Sequence, residues 1–140
     1  MLRRELWRRG FRYRVDVADL PGRPDIVFTK ARLVVFVDGD FWHGRDWSDR
    51  KARLETGSNA LYWISKIERN IARDRAVIAS LEDDGWCVLR VWEGDVRARL
   101  LQTVDVVLTS LAARESYTHR NRSTSAATTS RMAASEPIGR

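Results

Sequence analysis

Residues 33–43 read LVVFVDGDFWH, and the break after Val37 decides the fold. From Leu33 to Val37 every side chain is apolar. A strand solvated on one face alternates apolar and polar residues, so an unbroken run predicts a central strand covered on both faces. The run ends in Asp38-Gly39-Asp40, and the stretch from Asp38 to Asn59 (DGDFWHGRDWSDRKARLETGSN) carries little periodicity. A loop of this length inside a compact domain is usually functional.

Upstream, Asp25–Thr29 is a short apolar strand, and Lys30-Ala31-Arg32 is a connection tight enough to predict antiparallel pairing with the central run. LPGRP at 20–24 is a turn. Phe11–Val17 alternates and predicts a half-buried strand, and residues 2–9 predict a helix stopped by Gly10. Downstream, Ser58 or Asn59 can cap a helix from Ala60 to about Asp83. Its apolar stripe is Ile64, Ile67, Ile71, Ile78 and Leu81, and Gly85 ends it. Trp86–Trp92 (WCVLRVW) predicts a further strand. A last helix is expected from about Asp95 to Ala112, with Val96, Leu100, Val104, Leu108 and Leu111 facing inward. A helical crossover between two buried strands, beside a hairpin, predicts an α/β or α+β fold around a mixed central sheet.

The whole chain has 140 residues, 44% of them hydrophobic, which is one domain with a real core and excludes chain-wide disorder. From Glu115 the composition turns to Ser, Thr, Ala and Arg, so the expected division is a domain at 1–114 and a disordered tail at 115–140. Arg120, Arg122 and Arg131 in that tail could add a minor hold on a polyanion. No window of about 18 apolar residues predicts a membrane span. MLRRELWRRG has no apolar core for a secretory signal, and Cys87 is the single cysteine, so a disulfide framework is excluded and the cytoplasm is the expected compartment. The net charge of +6 favours a polyanionic partner, most often nucleic acid.

Three constellations carry possible chemistry. Asp25 opens one strand and Asp38 closes its neighbour, so the two carboxylates can converge at one sheet end, as a hard cation such as Mg²⁺ requires. Alternatively each caps a turn. Phe41 and Trp42 suit wedging between bases, and His43 suits proton transfer near neutral pH. Their alternative is a local minicore. Lys66, Asn70 and Arg73 share one helical stripe that can meet phosphates or simply face water, with Tyr62 and Trp63 at the start of the same helix.

Together, LPGRPDIVF at 20–28, VFVDGDFWH at 35–43, YWISKIERNIARDR at 62–75 and GWCVLRVWE at 85–93 resemble the very short patch repair (Vsr) DNA mismatch endonucleases, in order and spacing. The resemblance covers roughly residues 2–112. It implies a restriction-endonuclease-like fold of the PD-(D/E)XK type, with a mixed central sheet flanked by helices. It implies Mg²⁺-dependent nicking of one strand of double-stranded DNA beside a T:G mismatch by a cytoplasmic monomer. Asp25 then matches the metal-binding aspartate and Val37 a main-chain carbonyl contact to the metal. His43 matches the histidine that activates water. Phe41, Trp42 and Trp63 match aromatics at the distorted duplex, with Lys66, Asn70 and Arg73 as further DNA contacts.

Asp38 departs from the family pattern, standing where well-known members have a second histidine; it is expected as a metal ligand or its neighbour. The family's structural-zinc positions here hold Asp40, Arg45, Trp47 and Gly94, so no zinc is expected. Packing at Trp47 and charge pairs of Arg45 with Asp46 or Asp49 are expected to hold the loop instead. Counted back from Asp25, the family's acidic residue on the first helix falls before Met1, so the resemblance implies either a start that lies upstream of Met1 or a truncated first helix. Two other readings follow from these departures: a restriction or defence nuclease of different specificity, and an inactive DNA-binding remnant.

Overall fold

A computed structural model describes residues 1–133, with side chains described through Ala126. The elements are α1 (Leu2–Arg8), β1 (Ile26–Phe28), β2 (Leu33–Asp38), α2 (Trp47–Glu55), α3 (Ala60–Asp83), β3 (Cys87–Trp92), α4 (Glu93–Ala98) and α5 (Leu100–Ala133). The sheet has the order β1-β2-β3. β1 pairs antiparallel with β2 through Ile26↔Val35, and β2 pairs parallel with β3 from Leu33↔Cys87 to Asp38↔Trp92. A parallel pair needs a long crossover, and α3 provides it.

The apolar run behaves as its composition requires. Leu33, Val34 and Val35 are fully buried, and the strand's two faces enter separate clusters. Leu33 and Val35 join Leu2, Leu6, Val104 and Val107 on the side of α1 and α5. Val34 and Phe36 join Val27 and Leu81 on the side of α3. Each such side chain contributes roughly 1.5–3 kcal/mol of transfer free energy, so β2 is the axis on which both layers are fastened. α3 keeps the expected bounds, beginning after Asn59 and ending before Gly85, whose φ of +85° suits a residue without Cβ. Asn59 holds its place through a left-handed backbone (φ 56°) and makes no side-chain cap bond; its carbonyl accepts from Tyr62 and Trp63.

Four expectations need correction. Phe11–Val17 is not a strand: only Arg14 bridges to Val27, through a reciprocal pair of 2.9 Å bonds. Asp16 breaks the extension with φ 52°, and Tyr13 is drawn to α1, its hydroxyl donating to the Arg3 carbonyl. The long loop is not structureless, since α2 forms within it and docks on α3, where Lys51 meets Glu68 at 2.9 Å. The last helix is two helices, broken at Arg99 (φ −141°, ψ 52°). Finally, the chain after Glu115 continues α5 to Ala133. Its beginning is nucleated by packing of Val104, Val107 and Leu111. No Gly or Pro intervenes before Pro137, so each further residue adds a helical bond without a new nucleus. Residues 134–140 of the expected tail lie outside the described residues. No helix among the described residues is long and apolar enough to cross a membrane.

Candidate active site

Asp25 sits between the buried Pro24 and β1, so its backbone is fixed while its side chain remains 40% exposed. Its Oδ2 accepts a 2.7 Å hydrogen bond from the Val37 amide, which locks it to the end of β2. Its backbone carbonyl accepts from Arg3 Nε at 3.0 Å, and the Arg3 guanidinium stands 3.8 Å from its Oδ1. Asp25 and Val37 line one cavity of ≈ 440 Å³ together with Asp38, His43, Asn70 and Arg73.

Asp38 is 5% exposed, which for a carboxylate demands a partner. Arg90, from the neighbouring strand β3, supplies it with two parallel bonds, Nε to Oδ2 and Nη2 to Oδ1, the latter at 2.7 Å. Both oxygens of Asp38 are therefore engaged. The Arg90 guanidinium also lies over the Phe36 ring at 4.6 Å and reaches Asp74 Oδ1 at 3.3 Å. Asp74, on α3, in turn bonds His43 Nδ1 at 2.7 Å, and His43 Nδ1 is 3.8 Å from Asp38 Oδ1. The imidazole is thus held by one carboxylate beside a second. Among the described residues no three His, Cys, Asp or Glu side chains form a complete metal-ligand group.

Asp74 and Arg90 were not among the residues singled out from sequence. Asp74 lies four residues after Asn70, so it extends the polar stripe of Lys66, Asn70 and Arg73 by one turn. Arg90 is the charged residue in the otherwise apolar WCVLRVW. Both were legible as anomalies of pattern; what they bond was not.

The loop aromatics cluster beside this cavity. Phe41 meets Trp42 and Trp63 edge-on, at 5.1 and 5.9 Å between centroids, and Trp42 lies 5.7 Å from Trp63. Tyr62 joins through Trp63 at 5.0 Å. The rings do pack on one another, yet Trp42 and Tyr62 remain 42% and 55% exposed. Lys66 Nζ lies 4.9 Å from the Trp42 ring centre, placing a cation on the same surface. Asn70 Nδ2 donates to the Trp42 carbonyl at 3.0 Å and pins the loop to α3. Arg73 lines the cavity mouth one turn below Asn70.

The far end of the loop is closed by charge. Arg45 bonds Asp40 Oδ2 and Asp95 Oδ1, each at 3.1 Å, not Asp46 or Asp49 as expected. The Gly94 amide donates to Asp40 Oδ1 at 3.0 Å. That amide and, after it, Arg45 hold the Asp40 carboxyl below the usual carboxylate range, while Asp95 and then Asp40 raise the Arg45 guanidinium. Trp47 begins α2, and Lys51 on the same helix holds the Glu68 carboxyl below its ordinary value.

An imidazole fixed by a carboxylate can take a proton from water, and the rim of Lys66, Trp42 and Tyr62 suits the phosphates and bases of a stacked polymer. Comparison with known proteins agrees at the level of family. The family description "DNA mismatch endonuclease Vsr" matches residues 1–49. The type II nicking enzyme V.NmeDIP of Neisseria meningitidis serogroup C is 48% identical over 95 residues, covering 68% of this chain and 63% of that protein. V.XorIIP of Xanthomonas oryzae pv. oryzae, also a type II nicking enzyme, is 45% identical over 105 residues, covering 69% and 73%. The DNA mismatch endonuclease Vsr of Escherichia coli K12 is 41% identical over 90 residues, covering 64% and 56%. The chain belongs to the Vsr DNA mismatch endonuclease family. It spans less than two thirds of the length of V.NmeDIP and of the Escherichia coli relative.

Proposed function

We propose that this protein is a Mg²⁺-dependent DNA endonuclease that nicks one strand of a duplex beside a T:G mismatch, on a restriction-endonuclease-like core. The observation that carries this reading is the His43–Asp74 pair facing the cavity that Asp25 also lines, with the aromatic cluster alongside.

His43, donating Nδ1–H to Asp74, keeps Nε2 as the nitrogen able to accept a proton from the attacking water. Asp74 fixes that tautomer and stabilises the imidazolium that results. The donor set at Asp25 fits Mg²⁺, because this ion is held by one or two carboxylates and otherwise by waters and substrate phosphate. Asp25 and the Val37 main-chain carbonyl would hold it, with Asp38, already engaged by Arg90, as a neighbouring negative charge. When bound, the ion neutralises charge on the phosphate and acidifies water. Phe41, Trp42 and Trp63 insert beside the mispair, where unstacking is least costly, and Lys66, Asn70 and Arg73 hold the backbone. The net charge of +6 supports association with DNA, and the protein acts as a cytoplasmic monomer.

The test is nicking of an end-labelled duplex with one T:G pair, beside its T:A control, with and without Mg²⁺. Cleavage of the T strand only at T:G and only with Mg²⁺ is expected, and Asp25→Ala is expected to abolish it while DNA binding survives. Equal cleavage of both duplexes would move the reading to a restriction or defence nuclease without mismatch preference. Binding without cleavage would leave a DNA-binding remnant.

A further inference from the structure

We propose that Arg90 is a positioning residue of this site: it holds Asp38 and Asp74 together and, through Asp74, aims His43. The inference deepens the nuclease reading and rests on it.

Arg90 touches both carboxylates that lie within 4 Å of the imidazole, Asp38 and Asp74. It bonds both oxygens of Asp38, reaches the Asp74 oxygen that His43 does not use, and sits over the ring of Phe36, its partner in the β2–β3 register. Asp74 thereby receives one cation on Oδ1 and the imidazole on Oδ2, which fixes the plane of its carboxylate. Without Arg90, Asp38 would be a second free carboxylate, 3.8 Å from Nδ1, competing with Asp74 at 2.7 Å for the same N–H. The ring could turn to either. With Arg90 occupying Asp38, Asp74 is the acceptor left for Nδ1.

The arrangement is also unfavourable for stability alone. Arg90 Nη1 is buried with no hydrogen-bond partner. Burying an ion pair seldom improves on an apolar pair of the same volume, and an orphaned donor makes it worse. A guanidinium retained in an apolar strand under these terms is explained by what it orients.

The experiment first measures wild-type nicking of the T:G duplex; its absence overturns the parent reading and leaves the geometry to be tested by NMR. Arg90→Met is expected to lower kcat by about 10–100-fold, the usual effect of a misaimed catalytic group, with KM for DNA within about 3-fold. Arg90→Lys should recover part of the loss. The Arg90→Met/Asp74→Asn double variant should be hardly slower than the worse single variant, since both break one chain of support. The downfield Nδ1–H resonance of His43, assigned by its persistence in His119→Asn, should vanish in Arg90→Met. Should Arg90→Met fail to fold, Arg90→Gln, which leaves Asp38 in place and keeps a neutral polar head, replaces it in each measurement. A folded variant with wild-type kcat, a retained His43 resonance, or losses that multiply in the double variant would overturn the proposal.

Discussion

Gly44 follows His43 at the point where the loop comes down on α3, with φ +73°. A Cβ there would stand 2.5 Å from Ile71 Cδ1 and 2.9 Å from its Cγ1. Gly44→Ala should therefore strain the backbone and push the loop off α3. A loss of about 1–3 kcal/mol in denaturant unfolding is expected, together with a fall in nicking rate, because His43 moves with it. At this scale the sequence was most legible where residue type alone restricts chemistry. His43 is one of two histidines, and Asp25 follows a proline at a strand start. Asp74 and Arg90 were hidden because a salt bridge is a property of two positions. His43 finds its partner 31 residues away and Asp38 finds its own 52 away. No local spacing encodes either distance.

Among the elements, the loop between β2 and α2 is fastened to the β3–α4 junction by Asp40, Arg45, Asp95 and the Gly94 amide. Asp40 ionises more readily in the folded protein than its ordinary value of 3.8, so its contribution is complete above that pH and is lost as pH falls through the lower folded value. Asp40→Asn should lower the melting temperature at pH 6–7 by an amount equivalent to about 1 kcal/mol, as for a partly exposed pair. The difference from wild type should shrink as the pH drops below about 4, a comparison scanning calorimetry makes directly. Arg45→Ala should lose nicking more than it loses DNA affinity, since the clip orients the segment bearing His43. Element boundaries were readable wherever one period ran unopposed, as in α3 and β2. They failed where tertiary contacts intervened. α2 is docked on α3 through Lys51 and Glu68, and the alternating Phe11–Val17 stays out of the sheet except at Arg14.

For the whole molecule, Leu111 is buried and Arg114 reaches the carbonyls of Ala31 and Gly85, so α5 is anchored up to this point. From Glu115 to Ala126 only Thr118 is partly covered. Removing residues 120–140 is expected to shift the melting temperature by less than about 2 °C, since exposed residues such as those at 120–126 seldom contribute more than ~0.5 kcal/mol. The same truncation removes Arg120, Arg122 and Arg131. It should flatten the salt dependence of DNA binding by up to about 0.9 in log–log slope for each phosphate that these arginines neutralise. The layered α/β architecture was legible because β2 is apolar on both faces. The small size of the sheet was not, because pairing is decided between strands. The pairs that build the site, Asp38 with Arg90 and Arg45 with Asp95, close loops of 52 and 50 residues, so they form only after α3 has carried β3 back to β2. Closing such long loops costs more chain entropy than local contacts do and slows folding. A chain emerging from the ribosome, or one caught half-folded, has its aromatic and basic residues but no assembled catalytic centre. Under the proposed reading, competence to cut DNA is thereby tied to completion of the fold: an unfinished copy carries the residues of the site without their geometry.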